Sequence, residues 1–182
     1  MILTTQLSTE RLVLNPLPPA AAAALPDDRQ GASRIIGAKL SSHWPASDLL
    51  DVLPMQAAAG PEQARYGVWV IIERESGVVV GDIGFLGPPG PEEEVEVGYS
   101  IVPDRRRRGY ATEAARALVA WAREQPGVRV FVAECDEHNQ ASVQTLERLG
   151  FSRTAKAGGR LRWRLGRDDR ADRQPATPDQ LR

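Results

Sequence analysis

The chain has 182 residues, of which 42% are hydrophobic and 26% charged, a balance that is ordinary for a globular protein. This length suits one domain with a buried core. The formal net charge of -1 argues against wholesale nucleic-acid binding, which needs a strongly basic domain. The single cysteine, Cys135, excludes an intramolecular disulfide and a cysteine-rich zinc site.

Targeting and metal-binding signals are also missing from the sequence. It shows no secretory signal at its start and no apolar run of membrane-spanning length. We therefore expect a cytoplasmic protein with no membrane partner. His43 and His138 lack partners at the spacing of metal ligands, so no metal is expected. Cys135, at a strand end, is expected to be a small buried apolar residue.

Hydrophobic periodicity predicts the elements of the first half of the chain. Polar and apolar residues alternate in the first strand, and Glu75-Ser76-Gly77 joins two β-branched runs as a hairpin. An alanine- and proline-rich segment before the hairpin favours short helices. In chain order we predict a strand, two short helices, a hairpin and a further strand, at residues 11–15, 20–25, 47–58, 66–86 and 94–102.

The second half opens with a long amphipathic helix, which has apolar residues at helical spacing from Ala111 to Ala122. Beyond it we predict a strand, a helix and a final pair of strands, at residues 128–133, 139–149, 151–154 and 161–165. This order predicts a mixed α/β (α+β) fold, with a single, mostly antiparallel sheet flanked by helices. We expect one domain over residues 1–165 and a disordered tail over residues 166–182.

The loop between the strand at 94–102 and the long helix contains four consecutive arginines and the pattern Arg106-x-x-Gly109-x-Ala111. Small residues let a phosphate approach the backbone, and the free N–H groups of a helix N-terminus bind it. For an isolated arginine-rich loop, a solvated basic turn is the alternative. The strand–loop–helix context favours the phosphate site.

Several segments, in order, resemble the GNAT superfamily of acyl-CoA N-acyltransferases. Within it, the sequence most resembles the ribosomal-protein-alanine acetyltransferase-like branch. The first resembles its strand-four signature, the second its pyrophosphate loop, and the last two the start and exit of its fourth helix. These segments are Glu96-Val97-Gly98-Tyr99 with Pro103, residues 106–111, Asn139-Gln140-Ala141-Ser142, and Leu149-Gly150-Phe151.

The resemblance implies a GNAT-like sheet with splayed central strands, and acetyl-CoA as the acyl donor. Loop amides would hold the pyrophosphate, the preceding strand would bond the pantetheine arm, and the fourth helix would begin near the thiol. Asn139 is explained equally well as the N-cap of that helix. The residues expected to bind CoA are Ile101, Val102, Arg106, Arg107, Arg108, Gly109, Tyr110, Ala111, Thr112, Asn139 and Ser142.

The resemblance further implies direct attack of a neutral amine on the thioester within a ternary complex. Glu96 is the candidate base, acting through water, unless it merely belongs to an acidic, solvated strand entry. A backbone N–H near Ile101 would bind the oxyanion. Leu146 stands where many relatives carry the tyrosine that protonates the thiolate, so Ser142 or water is expected to replace it.

Trp44, Asp82 and Phe85 are the candidate lining of the acceptor site. The two aromatic residues are as readily explained by core packing, and Asp82 by exposure to water. The acceptor itself, a protein N-terminus or a small-molecule amine, stays open. A second interpretation is a CoA-binding regulatory or sensor protein with weak catalysis, motivated by the leucine at position 146. Nucleic acid is not an expected partner, and a homodimer stays open.

Overall fold

The computed structural model describes residues 5–166, where the predicted strands form one mixed sheet. Its order is β1-β2-β4-β5-β6-β7-β9-β8, with β3 paired to β5. Neighbours are antiparallel except for β6 with β7 and β3 with β5, which are parallel. The strands are β1 Leu7–Ser8, β2 Leu12–Pro16, β3 Lys39–Leu40, β4 Val68–Glu73, β5 Val78–Phe85, β6 Glu94–Ile101, β7 Val130–Asp136, β8 Ser152–Ala157 and β9 Arg160–Gly166.

Helices connect and cover these strands. They are α1 Pro19–Ala24, α2 Arg29–Ile36, α3 Ser47–Ala58, α4 Pro61–Ala64, α5 Tyr110–Arg123 and α6 Gln140–Leu149. The helix α5 buries its apolar stripe against an aromatic cluster, in which the rings of Trp121 and Trp69 lie 5.1 Å apart and those of Trp121 and Phe85 6.5 Å apart. Within residues 5–166, no helix is both long and apolar enough to cross a membrane.

The predicted fold class and the predicted elements are confirmed, whereas β1, α2, β3 and α4 were not predicted. The signals for α2 are present in the sequence: the Asp28 side chain caps its start, and Gly37 ends it with φ +76°. Gly166, placed in the predicted tail, is instead the last residue of β9 and pairs with Val130. The rest of the predicted tail, residues 167–182, lies outside the described residues.

The strands β6 and β7 pair only over a short stretch and then separate. Their register covers Glu94, Val95 and Glu96 opposite Val130, Phe131 and Val132. Beyond Glu96, β6 keeps its pairing with β5, while β7 keeps its pairing with β9. Because each strand follows its outer neighbour, the sheet opens into a gap between β6 and β7, as the resemblance implied.

The helix α3 is fixed over the opposite face of the sheet by one buried amide. The Gln56 side chain donates from Nε2 to the Leu17 carbonyl at 2.7 Å, and its Oε1 accepts from the Val68 N–H at 3.1 Å. Gln56 is only 3% exposed, so losing either bond would leave a buried polar group unpaired. This pairing places one face of α3 opposite β5 and β6.

The N-terminus of α5 is held to the β1–β2 turn by Glu113. Its carboxylate accepts hydrogen bonds from the Thr9 hydroxyl at 2.6 Å, the Arg11 N–H at 2.9 Å and Arg11 Nε at 2.7 Å. Arg11 also donates from Nη1 to the Arg108 carbonyl at 2.8 Å. These bonds fix the arginine-rich loop from its side facing β1 and β2.

We expect Glu113→Gln to destabilise the fold by about 1–2 kcal/mol at neutral pH, because a charge-assisted cluster loses its charge. Desolvation by burial is the largest influence on Glu113, but the bonds from Thr9 and Arg11 outweigh it and lower its pKa. The stability that it contributes is therefore present at neutral pH and lost as the pH falls through that lowered pKa. Denaturant titration of both proteins at several pH values measures this difference. Equal stability at neutral pH would show that the bonds of Glu113 to Thr9 and Arg11 do not stabilise the fold.

Candidate active site

The loop between β6 and α5 presents a row of backbone donors for which residues 5–166 supply no acceptor. On either side of it, the Arg106 N–H bonds the Pro103 carbonyl and the Glu113 N–H bonds the Gly109 carbonyl. Between them, the N–H groups of residues 107–112 donate no hydrogen bond to any other residue in the range 5–166. Arg107 at φ +60° and Gly109 at φ +80° give the loop the curved shape of an anion-binding nest.

Most of the arginine side chains at this loop already have partners. Arg105 contacts Glu73 at 3.4 Å and Asp104 at 2.6 Å. Arg106 Nε donates to the Ile101 carbonyl at 2.9 Å. Among the described residues, Arg107 has neither a hydrogen bond nor an ion pair, which leaves it free to meet an anion. The hydrogen-bond donors that stay free at this loop are therefore mostly backbone amides rather than arginine side chains.

Main-chain direction decides which residues of β6 face the gap. Leu86 donates its N–H to the Glu96 carbonyl and Val102 donates its own to the Val80 carbonyl, so residues 96 and 102 point towards β5. Since main-chain groups alternate along a strand, Tyr99 and Ile101 point towards the gap. The Val102 N–H is therefore already used by Val80, and its carbonyl accepts from the Arg105 N–H, so Val102 has no free main-chain donor for a cofactor. Of the two strand residues predicted to bond pantetheine, Ile101 is thus the one that faces the gap.

The start of α6 lies beside the gap. Asn139 caps the helix by accepting from the Ser142 N–H at 3.1 Å, so its capping role is present in the structure. The Tyr99 hydroxyl donates to the Ser142 carbonyl at 3.4 Å. Leu146 is 1% exposed and packs in the core. Tyr99 therefore brings a phenol to the start of α6, although the usual tyrosine position is occupied by a buried leucine.

A cavity of about 250 Å³ lies on the other face of the sheet, between α3 and the strands β5 and β6. It is lined by apolar side chains of α3 and by Gly67, Gly84 and Gly98. A Cβ on Gly84 would lie 2.1 Å from the Gly67 carbonyl oxygen, whereas a Cβ on Gly98 would meet nothing within 4 Å. Only Gly98 therefore tolerates a side chain without a clash.

Asp82 is a buried carboxylate in the wall of this cavity, 9% exposed. Its Oδ2 accepts from Trp44 Nε1 at 2.8 Å and from the Ser100 hydroxyl at 2.9 Å. Its Oδ1 accepts no hydrogen bond from residues 5–166. Burial raises the pKa of Asp82 to about 6, helped by the charge of Asp48 and opposed by the bonds from Ser100 and Trp44. From the sequence alone, Asp82 could either contact an amine or simply face water. The structure shows that its side chain is buried rather than solvent-exposed.

The other predicted acceptor-site and catalytic residues have different positions. Trp44 is 1% exposed and is not part of the cavity lining; its indole N–H donates to the Asp82 carboxylate. Phe85 borders the cavity, but its ring packs against Trp121 of α5 in the core. Glu96 lies outside the cavity lining, near Glu134 and Arg162, and burial raises its pKa.

A wider cavity of about 640 Å³ adjoins the loop. Its lining includes Gly109 and Thr112 of the loop and helix start, together with Arg116 of α5 and Arg148 of α6. Sequence reasoning missed both arginines because they lie in different helices, and only helix packing brings them to one cavity. Among residues 5–166, no group of His, Cys, Asp and Glu is placed to hold a metal ion.

The match to an acetyltransferase family model, together with this fold, makes the chain an acyltransferase enzyme. The chain belongs to the GNAT acetyltransferase family: residues 11–152 match the family model described as an acetyltransferase (GNAT) domain. It is therefore an N-acetyltransferase of the GNAT type.

Individual relatives agree with this assignment. The uncharacterized N-acetyltransferase YjdG of Bacillus subtilis is 32% identical over 161 residues, which cover 86% of this chain and 95% of YjdG. The ribosomal-protein-S5-alanine acetyltransferase of Vibrio fischeri has a similar fold, with a TM-score of 0.65 at 15% identity, over 94% of this chain and 100% of that one. The microcin C7 self-immunity acetyltransferase MccE, solved with acetyl-CoA and AMP, has a TM-score of 0.60 at 17% identity, over 87% and 93% of the two chains.

We expect Asp82→Asn to raise stability at pH 7.5 by up to about 3 kcal/mol. The carboxyl has its pKa raised from 3.8 to about 6, so its ionised form is disfavoured in the folded state and costs stability above pH 6. Asparagine keeps an oxygen for Trp44 and Ser100 without that charge. The gain should shrink as the pH falls towards 4, where both proteins are neutral at this position.

Denaturant titration at pH 7.5 and pH 4 measures this change in stability. Asp51→Asn, in α3 but outside the cavity, is the matched control and should change stability little. A destabilised Asp82→Asn at pH 7.5 would show that Asp82 is instead a stabilising buried group.

Proposed function

We propose that the protein transfers an acetyl group from acetyl-CoA to a primary amine by direct attack within a ternary complex. The observation that carries this proposal is the row of unused N–H groups at residues 107–112, at the end of the strand that borders the gap. A pyrophosphate supplies the acceptors that these donors lack, and the positive end of the α5 dipole favours its charge. The family membership and the acetyl-CoA named in the MccE structure support the same donor.

The rest of the donor follows from the two ends of the loop. The pantetheine arm lies along β6, where Tyr99 and Ile101 offer main-chain groups towards the gap. The phosphorylated nucleotide end meets Arg107 and the cavity that contains Arg116 and Arg148. Acetyl-CoA bound in this way supplies an activated acyl carbon close to Tyr99 and Ile101.

The chain offers groups for each part of the transfer. A main-chain N–H of β6 at Tyr99 or Ile101 stabilises the oxyanion. Burial raises the pKa of Tyr99 to about 12, so its hydroxyl keeps its proton. During the transfer this hydroxyl exchanges its 3.4 Å bond to the Ser142 carbonyl for a bond to the departing sulfur. Ser142 provides a second hydroxyl at the start of α6. For the base, the sequence predicts Glu96 acting through water, and the buried carboxylate of Asp82 in the cavity between α3 and β6 is a second candidate.

The acceptor is a protein N-terminus or a small-molecule amine, reaching the acyl group from the cavity between α3 and β6. The structural neighbours include proteins named as ribosomal-protein acetyltransferases, which supports a protein N-terminus. The alternative, a CoA-binding regulator with weak catalysis, is favoured by the buried Leu146. Binding of acetyl-CoA without thiol release for any amine would establish that alternative.

The loop is tested by Gly109→Ala, with Gly127→Ala as its matched control. Both glycines have nearly the same φ, +80° and +78°, and a Cβ at either position has its nearest neighbour no closer than 3.5 Å. Both substitutions therefore cost about 1 kcal/mol of backbone strain. Only Gly109→Ala misdirects the free N–H groups, so we expect its acetyl-CoA dissociation constant to rise about tenfold by calorimetry. No binding of acetyl-CoA to the wild type would defeat the proposal.

The leaving-group role of Tyr99 is tested by Tyr99→Phe. We expect kcat to fall about 10- to 100-fold, the range of one hydrogen bond to a charged group, with acetyl-CoA affinity unchanged. Ser142→Ala should have a smaller effect, and Tyr66→Phe, in the aromatic cluster, is the control. Thiol release with a primary amine measures the rates; wild-type rates in both Tyr99→Phe and Ser142→Ala would remove both residues from the mechanism.

A further inference from the structure

The cavity between α3 and β6 has a lining with one sign of charge. Its charged residues are Asp48 and Asp82, and no Lys, Arg or His belongs to its lining. Its remaining walls are largely apolar, with Leu49, Val52 and Met55 on α3. At its edge, Met55 is 59% exposed and Leu86 is 61% exposed, which is unusual for large apolar side chains. An occupant of this cavity must offer both a positive charge and an apolar surface.

We propose that this cavity selects a cationic primary amine attached to an apolar group, and that Asp82 accepts the proton that makes this amine a nucleophile. The inference rests on the proposed acetyl transfer and names the class of acceptor and the proton acceptor at that same site. It excludes acidic acceptors, because their carboxylates would be repelled by Asp48 and Asp82.

The position of Asp82 in the sheet supports this role. Asp82 pairs directly with Ser100 across β5 and β6, and Ser100 lies between Tyr99 and Ile101, whose main chains face the gap. Trp44 and Ser100 hold Oδ2, so the carboxylate is oriented while Oδ1 has no partner among residues 5–166. Glu96 lies outside the cavity, four residues before Ser100 on β6, which is about 13 Å at the rise of a strand.

Gly98 leaves the wall of the cavity open beside this carboxylate. It lies on the same face of β6 as Ser100, opposite Gly84, and has no side chain between the cavity and the strand. An amine held by Asp82 can therefore lie against β6, whose other edge borders the gap. We infer that the amine reaches the acyl group over this open backbone at Gly98.

The proton and electron balance of the step is simple. The acceptor enters as an ammonium group, and Asp82 takes one proton to leave a neutral amine. The nitrogen lone pair forms a bond to the thioester carbonyl carbon, and the C–S bond breaks with its electron pair passing to sulfur. The second nitrogen proton passes through water to the thiolate, which gives the amide and CoA thiol. Asp82 then returns its proton to solvent.

This role gives a definite pH dependence. Asp82 acts as its carboxylate, and its pKa is about 6, so kcat/KM should fall as the pH drops through 6. The groups that face Asp82 are Asp48 from α3, Ser100 from β6 and the indole of Trp44. Deprotonation of the free amine in solution occurs well above pH 7 and affects a separate part of the profile.

The test is acetylation by the full-length protein, measured by thiol release, with three amine probes at saturating acetyl-CoA. The probes are 2-phenylethylamine, ethanolamine and an aspartate-initiated tripeptide. We expect kcat/KM for 2-phenylethylamine to exceed that for the acidic peptide at least tenfold. Preference for the acidic peptide, or equal rates for all three, would overturn the assignment of the acceptor class.

The role of Asp82 is tested by Asp82→Asn beside Glu96→Gln and the control Asp51→Asn. We expect Asp82→Asn to lower kcat/KM about 100-fold, with unchanged acetyl-CoA affinity by calorimetry, and to abolish the fall of kcat/KM as the pH drops through 6. Glu96→Gln and Asp51→Asn should keep this fall. Its persistence in Asp82→Asn, or its loss in Glu96→Gln, would overturn the inference.

A further variant, Gly98→Val, tests the cavity without removing a polar group. Because a Cβ at this position meets nothing within 4 Å, the fold should be retained while the added methyl groups occupy the acceptor space. We expect KM for 2-phenylethylamine to rise at least fivefold with acetyl-CoA affinity unchanged. An unchanged KM would place the acceptor elsewhere. Failure of the wild type to bind acetyl-CoA would instead defeat the proposed function itself.

Discussion

The divergence of β6 and β7 is the constraint on which the rest of the site depends. Their pairing ends at Glu96 because β6 follows β5 and β7 follows β9. Main-chain groups at Tyr99 and Ile101 then face a gap in which none of the described strands pairs with them, and only the Ile101 carbonyl has a bond there, from Arg106 Nε. A buried polar group without a partner costs about 1–3 kcal/mol, so such a gap favours a ligand that brings its own donors and acceptors. The sheet therefore creates the binding site by leaving its own hydrogen bonding incomplete.

The loop after β6 extends the same principle to an anion. Four arginines suggest a site made of side-chain charge, yet Arg105 and Arg106 are bonded to the protein itself. Their contacts, together with the bonds that Glu113 and Arg11 make at the start of α5, hold the loop in a shape that leaves its amides free. Arg105 and Arg106 thus shape the loop, and in the proposed site the backbone N–H groups and the helix dipole are what an anion would meet first.

At Asp82, the stability of the fold and the proposed chemistry place opposite demands on one side chain. Its carboxylate is buried in a largely apolar cavity, where ionisation is disfavoured, and only Oδ2 is satisfied by the protein. A buried carboxyl whose ionised form is disfavoured, and whose Oδ1 has no partner among residues 5–166, is typical of a site kept for chemistry rather than for packing.

The sequence by itself determined the fold class and most of the elements, because these depend on periodicity, on glycine at positive φ and on segments adjacent in the chain. It did not predict short or weakly periodic elements such as α2, and its phosphate loop stays a prediction. Only the tertiary structure decided which residues meet at the cavity between α3 and β6, since Trp44, Asp82 and Ser100 come together through strand pairing and the docking of the α2–α3 region. It also separated Glu96 from that cavity, because Glu96 lies four residues before Ser100 along β6, and it buried the Phe85 ring in the core, because side chains alternate along β5 and Phe85 faces α5. Local pattern determined the loop before α5, whereas long-range packing decided which residues border the cavity on the other face of the sheet.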